Sequence, residues 1–132
     1  MSRPAATYLA IAVTLFVLDM LWLLGIARDW YQQGIGHLMA DQPQWAPAAL
    51  FYLLFPAGLL VFAVMPGHAH GVARATLRGG LFGFFAYATY DLTNLATLKD
   101  WPIGLSLLDI AWGTLAGSAA SAAGAWTARA PK

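Results

Sequence analysis

The sequence predicts an all-α polytopic membrane protein: a four-transmembrane-helix bundle with both termini on the cytoplasmic side. Three observations carry that prediction. Hydrophobic residues make up 60% of the 132 positions and charged residues only 10%, against about 25% charged in an ordinary soluble domain. The apolar residues gather into four stretches, each near the roughly 20 residues that cross a bilayer. The strict period-two alternation of a membrane β-strand is absent. The length fits a single domain, 1–132.

The first span is expected over 7–27, with Asp19 as its only charge. Gly25-Ile26-Ala27 has the small-x-small look of a cleavage site. The apolar stretch is too long for a signal peptide and holds an aspartate, so it reads as a retained helix. An outer segment, 28–45, mixes Trp30, Tyr31, Leu38, Met39 and Trp45 with polar residues. It reads as an interfacial short helix or lid, with a plain aromatic anchor as the simpler alternative.

The second span, 46–65, carries no charge, and Pro56 should kink it. A short inner loop, 66–78, leads to the third span, 79–98, which Asp91 and Asn94 interrupt. Trp101-Pro102 marks a tight outer turn, which makes spans three and four antiparallel neighbours. The fourth span, 103–126, has one charge, Asp109. Arg3, Arg74, Arg78, Arg129 and Lys132 then fall on one side, and only Arg28 and Lys99 on the other. The more basic side is cytoplasmic.

Counted inward from the outer span ends, Asp19, Asp91 and Asp109 lie at one depth, about 9–12 Å below the surface at 1.5 Å per residue. An aspartate at a helix centre costs about 2.5–3.5 kcal/mol to insert, so such residues usually face the bundle interior and mark a functional site. The competing reading is interhelical glue, worth about 0.6 kcal/mol per contact. No Lys or Arg lies within the spans to neutralise the acids, so the set should hold a proton or a hard cation.

These three acids are the candidate catalytic residues. Tyr87 and Asn94 share a helical face with Asp91 and are expected to hydrogen-bond near it, with Tyr90 and Thr93 forming a second polar edge. Trp22 lies one turn from Asp19, and Trp112 stands in the same relation to Asp109. Together these six are the candidate binding residues. Asp109, Gly113, Gly117 and Ser121 recur every four residues, a spacing that lets another helix approach closely.

Leu18-Asp19-Met20-Leu21-Trp22 and Leu108-Asp109-Ile110-Ala111-Trp112 share the pattern Leu-Asp-x-x-Trp on spans of opposite direction, as an inverted duplication would leave it. His37 could cap the acids from outside or sit exposed in the interface. His68 and His70 lack the third ligand a metal site needs, so no metal residues are assigned. Net charge of +1 with no basic run leaves no nucleic-acid surface. The sequence has no cysteine, which removes disulfides and thiolate chemistry. Walker, dinucleotide and hydrolase motifs are missing.

With the two Leu-Asp-x-x-Trp segments, Tyr90-Asp91-Leu92-Thr93-Asn94-Leu95-Ala96-Thr97 and Trp101-Pro102, the chain resembles a bacterial domain-of-unknown-function family of small predicted four-span membrane proteins. The resemblance implies a multi-pass protein of the bacterial inner membrane and no particular activity. From the residues themselves, the leading expectation is a buried aspartate site near the periplasmic side. It would bind or act on a lipophilic small molecule by proton transfer. The alternatives are a small proton- or cation-coupled transporter or channel, and an accessory subunit of a membrane complex. The partners expected are the lipid bilayer, a lipid-like or cationic small molecule and a second copy of the chain. No cofactor is indicated.

Overall fold

The computed structural model describes residues 2–129, apart from the side chain of His68. Lys132, counted above for orientation, lies outside the described residues, as does the His68 side chain. Helix α1 spans Arg3–Met20 and runs on into a π-helical turn, Leu21–Ile26. Helix α2 (Arg28–Ile35) and a 3₁₀ turn (Gly36–Leu38) form the outer segment. Helix α3 (Trp45–Leu59) continues through a second π turn (Leu60–Val64) and one helical turn, α4 (Met65–Gly67). After a 3₁₀ turn (His68–His70) come two long helices, α5 (Val72–Thr97) and α6 (Ile103–Ala128). Among the described residues there is no strand.

Local chemistry accounts for the ends. The Ser2 hydroxyl accepts the Ala5 N–H at 3.3 Å, and Pro4 follows in the first turn, where its missing N–H costs nothing. Gly71, at φ 102°, turns the chain into α5. That helix begins at Val72, not at 79 as the span count suggested, because Ala73, Arg74, Leu77 and Arg78 are good helix formers that need no loop. It therefore absorbs Arg74 and Arg78. The Arg78 guanidinium donates to the carbonyl of Phe62 at 3.1 Å, within the second π turn.

Three stretches have the length and apolar content to cross a membrane: Arg3–Ile26, Trp45–Gly67 and Ile103–Ala128. Helix α5 matches α6 in length, but Arg74, Arg78, Asp91 and Asn94 dilute its apolar run. Leu24, Leu54, Phe85, Ile103 and Leu115 are all more than half exposed. Water would penalise such a surface; lipid does not.

Helices α5 and α6 form the most extensive contact, an antiparallel hairpin. A Cβ on Gly79 would collide with Ser121, one on Gly83 with the Gly113 carbonyl, and one on Gly113 with the Tyr87 ring. Each step of four along α5 meets a step of four back along α6. The small-residue stripe on α6 is therefore filled within the chain. It is not a free oligomer contact. Helix α1 lies along the other side of α6, where Ile11 fits against Gly124. The core, built from Ile11, Leu15, Leu59, Val64, Ala75, Ala116, Ala120 and Ala125, fills the end nearer both termini. The opposite half stays open, because α3 stands off from α5 until its π turn packs against it.

Candidate functional site

Asp19 lies at the end of α1 and is 4% exposed. Its carboxylate accepts from the Tyr52 hydroxyl at 2.7 Å and from the Trp112 indole N–H at 2.8 Å. One acid thus ties α1 to α3 and α6. Neither donor carries a charge.

Asp109 on α6 accepts from the Tyr31 hydroxyl at 2.6 Å, and that hydroxyl accepts from the Trp22 indole N–H at 3.1 Å. Burial, then the bond to Asp109, holds the Tyr31 phenol above its ordinary range, so it stays a proton-bearing donor. Trp22 and Trp112 stack with ring centroids 4.6 Å apart and planes 2° apart. The two Leu-Asp-x-x-Trp segments therefore cross face to face. Each tryptophan serves the other segment's aspartate, one directly and one through Tyr31.

Asp91 on α5 is 1% exposed and faces Asp109, one step further along the ladder that seats Tyr87 on Gly113. Its Oδ2 has no hydrogen-bond partner. The buried Trp101 indole N–H lies close enough to act on the Asp91 carboxyl without closing a hydrogen bond to it. Two carboxyl groups in contact, with no base between them, need a proton or a cation there. Asp19 also feels the charge of Asp109. The three acids form a row with Asp109 in the middle. Among the described residues they do not gather as a ligand set able to hold a metal ion.

Beside this row lies a cavity of about 1080 Å³. Asp19 and Asp109 reach its wall with Tyr31, Tyr52, Tyr87 and Tyr90, whereas Asp91 sits behind Asp109. Phe16, Phe51, Phe55, Trp22, Trp45 and Trp112 line it as well, among aliphatic residues. Phe51 and Phe55 stack at 5.4 Å, and Tyr87 meets Phe55 edge-on at 5.9 Å. The outer segment contributes Tyr31, Pro43 and Trp45, so it reaches the site through a specific hydrogen bond and does more than anchor the chain.

Several expected neighbours lie elsewhere. No hydrogen bond joins Tyr87 or Asn94 to Asp91 among the described residues. The Asn94 side chain lies instead beside the Tyr90 hydroxyl, one turn back on its own helix. Tyr90 meets Trp101 edge-on at 5.8 Å. Thr93 is exposed and bonds back to the Thr89 carbonyl at 2.6 Å, which takes its hydroxyl away from the site. His37 does not cap the acids. It pairs with Asp100 at 3.5 Å across the outer loops, both side chains exposed. The charge pattern does not mark Tyr52, yet it lies six residues into its span, at the depth of the acids, and is the only hydroxyl in an otherwise apolar stretch.

No curated protein and no solved structure matches the chain. A family model described as "Predicted membrane protein (DUF2177)" matches residues 5–126. Three helical stretches long and apolar enough to cross a membrane fit that description, and the chain belongs to the DUF2177 family.

Proposed function

We propose that this protein crosses the bacterial inner membrane four times, with both termini cytoplasmic, and that its cavity binds a lipophilic small molecule on which the aspartate row acts by proton transfer. Packing supports the fourth crossing. At 1.5 Å per residue, α5 is about 39 Å long, and it pairs with α6 through the glycine ladder, a geometry suited to two helices that cross a membrane together. Arg74 and Arg78 then lie at its cytoplasmic end, where long basic side chains reach the interface.

The observation that carries the functional reading is the composition of the cavity: an aromatic and aliphatic wall that ends on two carboxylates. An apolar body would fill the wall, and its polar group would meet Asp109 and Asp19. The Asp91–Asp109 pair holds one proton, with Asp91 as the buried reserve and Asp109 as the member that meets the ligand. The Tyr31 hydroxyl bonds Asp109 and fixes the direction of its carboxyl group. Tyr52 and Trp112 hold Asp19 in place as a fixed negative charge.

Coupled transport is the second reading. The π turn that follows Pro56 favours it, since π turns and proline both weaken the regular ladder of a helix that would have to flex.

The test is native mass spectrometry of the protein purified from its membrane, with extraction of any bound lipophile. Ala86→Trp, on the cavity wall, should displace such a molecule, and Leu115→Trp, on the exposed surface, should not. Equal occupancy in the two variants would overturn the cavity as a ligand site.

A further inference from the structure

The cavity's charge balance says more about what it takes. We propose that it selects a lipophilic organic cation, an apolar body bearing a positively charged nitrogen, seated against Asp19 and Asp109. This rests on the cavity being the ligand site.

Among the described residues, no Lys, Arg or His lines the cavity, while two aspartates do. Apart from Asp91, which shares a proton with Asp109, the described groups that hydrogen-bond those aspartates are neutral: Tyr52 and Trp112 on Asp19, Tyr31 on Asp109. With the shared proton on the Asp91–Asp109 pair, the negative charge of Asp19 still has no counter-charge within the cavity. A carboxylate away from water gains most from a cation brought to it, more than from another neutral donor. A neutral alcohol could donate to a lone pair that Tyr52 and Trp112 leave free, but it would bring no charge to balance the carboxylate. An anion would meet like charge.

The rings point the same way. Phe16 meets Tyr52 edge-on at 5.2 Å beside Asp19, and Phe51 lies against Tyr52 at 4.9 Å. Aromatic faces attract a cation, most strongly where water is excluded. The wall that an aliphatic body would need is thus also a wall that favours positive charge. A neutral lipid would use only the first property.

The experiment compares four probes with the same twelve-carbon tail: dodecyltrimethylammonium, dodecylamine, dodecanol and dodecanoate. The full-length protein is held in dodecyl maltoside, an uncharged detergent, and the fluorescence of Trp22, Trp45 and Trp112 on the wall reports binding. The two cations should bind at least about ten-fold tighter than dodecanol, and dodecanoate should bind weakest. Asp19→Asn should lower cation affinity about ten-fold and leave dodecanol within two-fold. Dodecanol or dodecanoate binding as tightly as the cations in the wild-type protein would overturn the proposal while leaving the cavity as a lipophile site. If no probe binds, the cavity reading falls and the proposal with it. Should Asp19→Asn fail to fold, the wild-type probe series decides alone.

Discussion

Trp22 and Trp112 stack at 4.6 Å with their planes 2° apart, and each sends its indole N–H toward the aspartate of the other's segment. The crossing of α1 and α6 is thus fixed by one ring pair and two carboxylates. Neither helix could shift along the other without breaking both sets of contacts.

Two parallel indoles this close couple their electronic transitions. The protein should show an exciton couplet in its far-ultraviolet circular dichroism, at the strong indole transition. Trp22→Phe should abolish it, and Trp126→Phe, at the exposed end of α6, should leave it intact. A couplet that survives Trp22→Phe would refute the stacking.

Tyr52→Phe removes one hydrogen bond to a buried carboxylate and should cost about 1–3 kcal/mol of stability. A double-mutant cycle with Asp19→Ala, which removes both acceptor oxygens, read by thermal unfolding in detergent, should show coupling between the two positions. Strict additivity would mean that the bond does not exist.

Asp91→Asn would supply an amide N–H to Asp109 and remove the need for a proton between them. This variant should fold at least as well as the wild type and lose the protonated-carboxyl stretch from its infrared spectrum. Retention of that band would place the proton elsewhere.

Gly83→Leu forces a side chain into the Gly113 carbonyl and should destabilise by about 1–3 kcal/mol or prevent folding. Gly104→Ala meets nothing within 4 Å and should be close to neutral. Equal melting temperatures for these two variants would contradict the α5–α6 interface.

Asp100 has φ 61°, the left-handed region that most residues avoid. Asp100→Gly should relieve about 1 kcal/mol of backbone cost, while Asp100→Val should add to it. Its pairing with His37 is exposed, so its loss should matter little. Comparison of the two variants by thermal unfolding checks the turn.

Much of this arrangement could be read before any coordinates. Depth counting singled out Asp19, Asp91 and Asp109, because distance along a helix converts directly to distance across a membrane. The Gly83, Tyr87 and Asp91 face and the Asp109, Gly113, Gly117 and Ser121 face were both visible as four-residue spacings. That each was the other's partner was not, although the tight turn between them already implied it. Tyr52 carries no charge, so a depth count of acids does not reach it; the same count applied to hydroxyls does. Tyr31 lies in an amphiphilic stretch where an anchoring ring and a hydrogen-bonding ring look identical in sequence. Thr93 was misplaced because a threonine in a helix can satisfy itself on the preceding turn. The π turns leave no mark, since an extra residue per turn does not disturb a run that is apolar throughout.

The hairpin of α5 and α6 is symmetric about Asp100: Asp91 meets Asp109, Tyr87 meets Gly113 and Gly79 meets Ser121 at matching distances from that residue. Adding one residue within either helix, between the connector and the ladder, would rotate everything beyond it by about 100°. The acid pair and every glycine seat would then be mismatched together. A residue added between Thr97 and Ile103 leaves both helical faces as they are, so a design that grafts a tag or label here belongs inside the connector, clear of Asp100 and Trp101.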